Sequence, residues 1–191
     1  MILALRTSKI SSLADSGQSR KLTFHGNVSL VISLSVGSPP QDVSMVLDTE
    51  SKLSWLVCNS TYPNYFKSPS SSTYRSIPCN SSSCQTQAHD PVIPADCDQQ
   101  TQICHVLVSY ADASTSSGVL SSDSFHLGNS GPSTQLPLRF GCMDLTFDTA
   151  STPTTRLLGM NRGSLAFITQ SGTHQFVYCI SDRNDSGILL L

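Results

Sequence analysis

The residues best placed to do chemistry sit together in the segment MVLDTESKLSW, residues 45–55. An apolar run ends on Asp48, followed by Thr49, Glu50 and Ser51, with Trp55 seven positions beyond the aspartate. A carboxylate at the end of an apolar strand raises the question of acid–base chemistry. A second carboxylate two positions on is harder to place, because like charges in one site oppose each other's ionisation. Other reactive residues are less organised. Cys104 and His105 are neighbours in a strand-like segment and face opposite sides, so they do not form a thiol–imidazole pair. The remaining histidines are scattered, without a His-x-x-His spacing, and no Gly-x-Ser-x-Gly, phosphate loop or dinucleotide fingerprint is present.

Four of the seven cysteines crowd one segment, Cys79, Cys84, Cys97 and Cys104, separated by four, twelve and six residues. That is not a regular zinc-finger spacing, so disulfides are expected and a metal site is not. Four cysteines allow three connectivities; the nested one, Cys79–Cys104 with Cys84–Cys97, is adopted here. Cys58 and Cys142 form a further candidate pair, and Cys179 is left over. Sequons at Asn27, Asn59, Asn80 and Asn184 join the cysteines in pointing to an oxidising, secretory compartment. The N-terminus disagrees: MILALRTSKI has no long apolar stretch and no small-residue cleavage site, so no signal peptide is read in this chain. No segment is long and apolar enough to be read as a membrane span.

The elements that must position Asp48 are strands. In NVSLVISLSVG, residues 27–37, Val28, Leu30, Ile32, Leu34 and Val36 share one face. SPPQD turns the chain, and VSMVLD and LSWLV follow as short strands. From Asn59 to about Gln102 the sequence is Ser-, Pro-, Asn- and Cys-rich and reads as a long stapled loop. ICHVLVSY and GVLSSDSFHL form a hairpin with the small-residue tip ADASTSSG, and LPLRFGC is another strand. One short helix is expected after Ser164 as N-cap, closed by Gly172. FVYCI and GILLL are terminal strands; the chain stops on four apolar residues and therefore reads as cut short. Residues 1–26 read as a loose polar extension and 27–191 as one β-domain. Composition agrees: 191 residues suffice for one core, Glu50 is the sole glutamate, and only four lysines are present. A net charge of -2 gives no footprint for nucleic acid or an anionic membrane.

Apolar-apolar-Asp-Thr-x-Ser at a strand end, with Trp55 beyond it, resembles the catalytic loop of the pepsin-like aspartic endopeptidases. VSYADASTSSG resembles their flap hairpin, and RLLGMNRGSL the apolar-apolar-Gly segment that crosses beneath the catalytic loop. SWLVCN, FGCMD and FVYCIS are similar to the plant nepenthesin-like branch, above all its "promotion of cell survival" type. The resemblance runs in order from about residue 27 to 191. It implies a mostly β fold, the N-terminal lobe of a pepsin-like protease with a flap hairpin. It also implies peptide-bond hydrolysis by a water held between two aspartates sharing one proton, with no cofactor and a peptide or protein as substrate. Asp48 would be one aspartate. Thr49 would lock the loop, Ser51 would hydrogen-bond Asp48, Trp55 would brace Tyr110, and Tyr110, Ala111 and Asp112 of the flap would cover the substrate.

Two departures work against activity. The family has glycine where this chain has Glu50, so a glutamate is expected to add bulk in a tight turn and a further negative charge beside the dyad. The second aspartate comes from a second lobe that this sequence does not reach. Asp185-Ser186-Gly187 spells part of its motif, but Arg183 and Asn184 precede it rather than an apolar strand, and it reads as a turn. A homodimer sharing two copies of Asp48 would bring both Glu50 side chains to its axis. The expectation is an aspartic-endopeptidase lobe that is inactive alone. The alternatives are a non-catalytic, inhibitor-like binding lobe and a truncated gene product.

Overall fold

In the computed structural model, residues 1–10, 27–58, 61, 64–109, 115–127, 134–147, 156–181 and 186–191 are described. β1 (Ile2–Ile10), β2 (Asn27–Val36) and β3 (Gln41–Asp48) form an antiparallel meander. Side chains alternate across a strand, so the sequence pattern sets the buried face. In β2 Ile32, Leu34 and Val36 are buried and Ser33 is exposed; in β3 Val43, Met45 and Leu47 are buried while Asp42 and Ser44 are exposed. The chain continues through β4 (Trp55–Val57), β5 (Arg75–Ser76), α1 (Ser82–Gln87) and β6 (Ala95–Cys97). β7 (Cys104–Ser109), β8 (Thr115–Leu127), β9 (Thr134–Phe147) and β10 (Arg156–Gly159) follow, then α2 (Phe167–Gln170), β11 (Val177–Ile180) and β12 (Ser186–Leu190).

The described strands make one sheet in the order β11-β12-β1-β2-β3-β10-β4-β9-β8-β7-β6, with β5 on β8 and a second contact between β2 and β8 that folds the sheet onto itself. β10 lies parallel to β3, and β4 parallel to β9. Two cores result. The larger holds Ile32, Leu34, Met45, Phe66, Phe125 and Phe140. Its rings meet edge-on, with Phe125–Phe140 centroids 5.5 Å and Phe66–Phe140 centroids 6.0 Å apart, a favoured aromatic geometry. The smaller contains Leu53, Trp55, Val106, Leu120 and Met143, with Cys84 and Cys104 among them.

The mostly β architecture agrees with the sequence reading; four details differ. Residues 2–10 are not a loose extension but β1, paired on one side with β2 and on the other with β12. Leu3 and Leu5 alternate into the core, and β12, paired with β1, buries Leu189 while Ile188 stays exposed. Residues 11–26 lie outside the described residues. A second helix, α1, occurs inside the cysteine-rich segment, capped by the Ser81 hydroxyl, which accepts from the Cys84 N–H. The expected helix starts later, with Ala166 rather than Ser164 at its N-cap, because Leu165 is drawn into a bridge with Leu53. It ends as expected at Gly172, φ +70°.

The disulfides are Cys58–Cys142, Cys79–Cys97 and Cys84–Cys104; the first was expected and the other two replace the nested pairing. The reason is the β6–β7 hairpin. It sets Cys97 opposite Cys104, and the segment packed beside each decides its partner. α1 turns Cys84 into the smaller core, where Cys104 is fully buried. Cys79, joined through its N–H to the Gln102 carbonyl at the hairpin edge, meets the half-buried Cys97. Cys179 is unpaired and exposed.

Candidate active site

Asp48 is the last residue of β3, half-buried, one position beyond the core residue Leu47. β10 runs beside it in parallel, pairing Leu158 with Leu47 and Gly159 with Asp48. The Met160 N–H donates to the Asp48 carbonyl at 2.8 Å, and the Gly159 N–H donates to the buried Ser54 hydroxyl at 3.1 Å. A Cβ at Gly159 would stand 2.7 Å from the carbonyl oxygens of both Ser51 and Leu53. Only glycine lets β10 pass this close beneath the loop.

Both carboxylate oxygens of Asp48 are engaged. Oδ1 accepts from the Glu50 N–H at 2.9 Å and Oδ2 from the Ser51 hydroxyl at 2.6 Å. Hydrogen bonds to a charged acceptor are strong and directional, so the carboxylate is held in one orientation. Ser51 therefore stands where the sequence reading places it. Thr49 is exposed, and among the described residues its hydroxyl has no partner. Trp55 is buried in the smaller core. The flap residues Tyr110, Ala111 and Asp112 lie outside the described residues, as does Asp185; the hairpin base is described, with Ser109 paired to Thr115.

Glu50 departs from the expectation of a crowded turn. It is exposed, and its backbone is not left-handed, since Asn64 and Gln102 are the described non-glycine residues with positive φ. The turn is tight because the Asp48 side chain accepts from the N–H two residues on, a local motif that asks nothing of the side chain there. What Glu50 adds in this lobe is a charge near Asp48, not a steric conflict.

Sequence reasoning passed over the residues that hold the loop from outside. Asn161, just past β10, donates its side-chain amide to the Glu50 carbonyl at 2.8 Å and its N–H to the Ser51 carbonyl at 3.3 Å. The signal was the polar Asn-Arg-Gly after Leu-Leu-Gly-Met. Lys52 forms an ion pair with Asp90 at 3.3 Å. Among the described residues Asp48 is hydrogen-bonded to no second carboxylate, and no group of three or more His, Cys, Asp or Glu could hold a metal. No described helix is long and apolar enough to cross a membrane. A cavity of about 460 Å³ between β2, β3 and Arg156 contains none of the residues around Asp48.

The xylanase inhibitor N-terminal family model matches residues 30–191. The aspartic proteinase PCS1 of Arabidopsis thaliana is 51% identical over 179 residues, covering 90% of this chain and 39% of that protein. Aspartic proteinase nepenthesin-1 of Nepenthes gracilis is 26% identical over 171 residues, 85% of this chain and 36% of that protein. Among solved structures, conglutin gamma from lupine seeds superposes with a TM-score of 0.64 at 20% identity, over 99% of this chain and 49% of the other. Soybean basic 7S globulin gives 0.65 at 18% identity, over 98% and 49%. These two share the fold. The chain spans well under half the length of the curated relatives it matches.

Proposed function

We propose, since this chain belongs to the xylanase inhibitor N-terminal family of plant pepsin-like lobes, that it is the lobe supplying Asp48 to an aspartic-type endopeptidase centre. One observation carries this reading: in an Asp-Thr-x-Ser sequence at a strand end, both oxygens of Asp48 are held by the Glu50 N–H and the Ser51 hydroxyl. A carboxylate so oriented can take a proton from a water presented to it, while a second aspartic acid donates to the oxygen of the peptide carbonyl under attack. The substrate is a peptide or protein, and no cofactor takes part. Tyr110, Ala111 and Asp112 would close over the substrate, with Trp55 behind Tyr110. Three disulfides suit a secretory or extracellular setting.

By itself the 191-residue chain does not hydrolyse peptides in this reading, because the shared proton needs a facing acid and Asp48 has none among the described residues. Glu50 favours a second reading, a non-catalytic, protein-binding lobe, by placing an exposed carboxylate next to Asp48. A chimera separates the two. This chain replaces the corresponding segment of the 51% identical Arabidopsis relative, with and without Glu50→Gly, and acid cleavage of a denatured protein is followed. Cleavage that disappears with Asp48→Asn supports the peptidase lobe. A folded chimera inactive in both forms refutes it, and activity only in the Glu50→Gly form supports the binding lobe for the natural sequence. Asp48-dependent cleavage by the isolated chain overturns the requirement for a second lobe.

A further inference from the structure

We propose that Lys52 and Asp90 are positioning residues for Asp48, coupling its loop to the disulfide-stapled segment between Cys79 and Cys104. The connection can be followed atom by atom. The Cys84–Cys104 disulfide anchors α1 in the smaller core. At the end of α1 the buried Gln87 side chain donates to the Ile93 carbonyl at 2.6 Å. The Asp90 N–H donates to the Gln87 carbonyl at 3.0 Å. The Asp90 carboxylate accepts from the Val92 and Ile93 N–H groups at 2.8 and 3.0 Å, which fixes its direction. Lys52 Nζ donates to both carboxylate oxygens at 3.3 and 3.4 Å. Lys52 adjoins Ser51, whose hydroxyl holds Asp48 Oδ2.

An ion pair at a surface is ordinarily worth little, because both side chains swing freely. Lys52 is restricted at its stem. Its stem lies against Gly163, where an added Cβ would sit 2.8 Å from Lys52 Cβ and 3.0 Å from its Cγ. The Gly163 N–H in turn donates to Asn161 Oδ1 at 2.7 Å, and Asn161 holds the Glu50 carbonyl. The Asp48 loop is thus gripped from two sides, by the segment after β10 and by the stapled segment, and Lys52 touches both. The charge on Asp90 persists into acid: burial alone would raise its carboxyl, but the Ile93 and Val92 N–H groups and the Lys52 ammonium together hold it below the usual aspartate range.

The inference deepens the peptidase reading, yet its test needs no catalysis, so failure of one is distinguishable from failure of the other. The Glu50 N–H reports directly on the Asp48 carboxylate that it donates to. Its solvent exchange is measured by NMR in the oxidised 191-residue chain and in Lys52→Met, Asp90→Asn, the double variant and Lys52→Arg. Asparagine at 90 can still accept from Val92 and Ile93, so that variant removes the charge and keeps the turn. Glu50 exchange is expected to rise about two- to fivefold in each single variant, the range set by a partly exposed ion pair. The double variant is expected to exchange no faster than either single, and Lys52→Arg to match the parent, while the Val43 amide is unchanged throughout. Unchanged Glu50 exchange in Asp90→Asn, or effects of the two singles that multiply in the double, overturns the proposal. Should Lys52→Met not fold, Asp90→Asn and Lys52→Arg still decide it.

Discussion

Replacing Gly159 by alanine tests whether close approach, rather than backbone freedom, puts glycine beneath the Asp48 loop. Gly159 does not have a positive φ, so alanine carries no conformational penalty there. The new methyl would instead stand 2.7 Å from two backbone oxygens, whereas ordinary contact begins near 3.4 Å. β10 must therefore withdraw by about 0.7 Å, the difference between those two distances. That movement stretches the Met160–Asp48 and Gly159–Ser54 hydrogen bonds, now 2.8 and 3.1 Å, toward or past their useful limit. Overpacking of this kind costs roughly 1–3 kcal/mol, and one loosened hydrogen bond adds about 1 kcal/mol. A loss of about 2–4 kcal/mol follows, or on the order of 10 °C in Tm for a chain of this length. Trp55, the single tryptophan and buried, provides the fluorescence signal for urea unfolding. The midpoint is expected to fall with an unchanged denaturant slope. A loss smaller than about 0.5 kcal/mol would mean that β10 and the loop are not in hard contact, and the reasoning would be wrong.

Glu50→Gly is expected to lower the stability of the isolated lobe by about 0.5–1 kcal/mol in the same assay, since glycine only adds freedom to the unfolded chain at an ordinary φ; stabilisation would reveal strain at Glu50. Peptide mapping without reduction should recover Cys79–Cys97 and Cys84–Cys104 as crosslinked fragments, and nested fragments would contradict the packing of Cys84 beside Cys104 in the smaller core. Removing Cys84–Cys104 by paired alanine substitution should cost about 3 kcal/mol, given the separation of 20 residues. Asp90→Asn should flatten the acid limb of the stability profile. A carboxyl held below its unfolded value stabilises the fold above the ordinary aspartate pKa, about 3.9, and loses that contribution as pH falls through the folded value. The effect should stay under about 1 kcal/mol, because both side chains are partly exposed, and an unchanged acid limb would show the pair to be idle.

Period-two alternation made β2 and β3 readable, because each strand records its buried face in its own residues. Asp48 was readable for the same reason: the alternation stops on it. β1 was not. Residues 1–5 are consecutively apolar and 6–9 polar, so no alternation marks a face, and Leu3 and Leu5 lie beside β12, more than 180 positions away, only once the chain has folded. The helix closure at Gly172 was visible, but its start was not, since a bridge to Leu53 displaces it.

By itself, then, the sequence determined β2, β3 and the other long strands but not β1, β5 or β6, that a carboxylate ends one strand within an Asp-Thr-x-Ser motif, and that cysteines pair as disulfides. The tertiary structure alone decided how the staples pair, that Glu50 meets no obstruction in this lobe, and that Asn161 and Lys52–Asp90 brace the loop. The dividing line is physical. Strand periodicity and the Asp48 turn act between near neighbours, whereas Asn161 reaches Glu50 across 111 positions and Lys52 reaches Asp90 across 38. Such contacts exist only once parallel β10 and the β6–β7 hairpin have set their register, which no local pattern records.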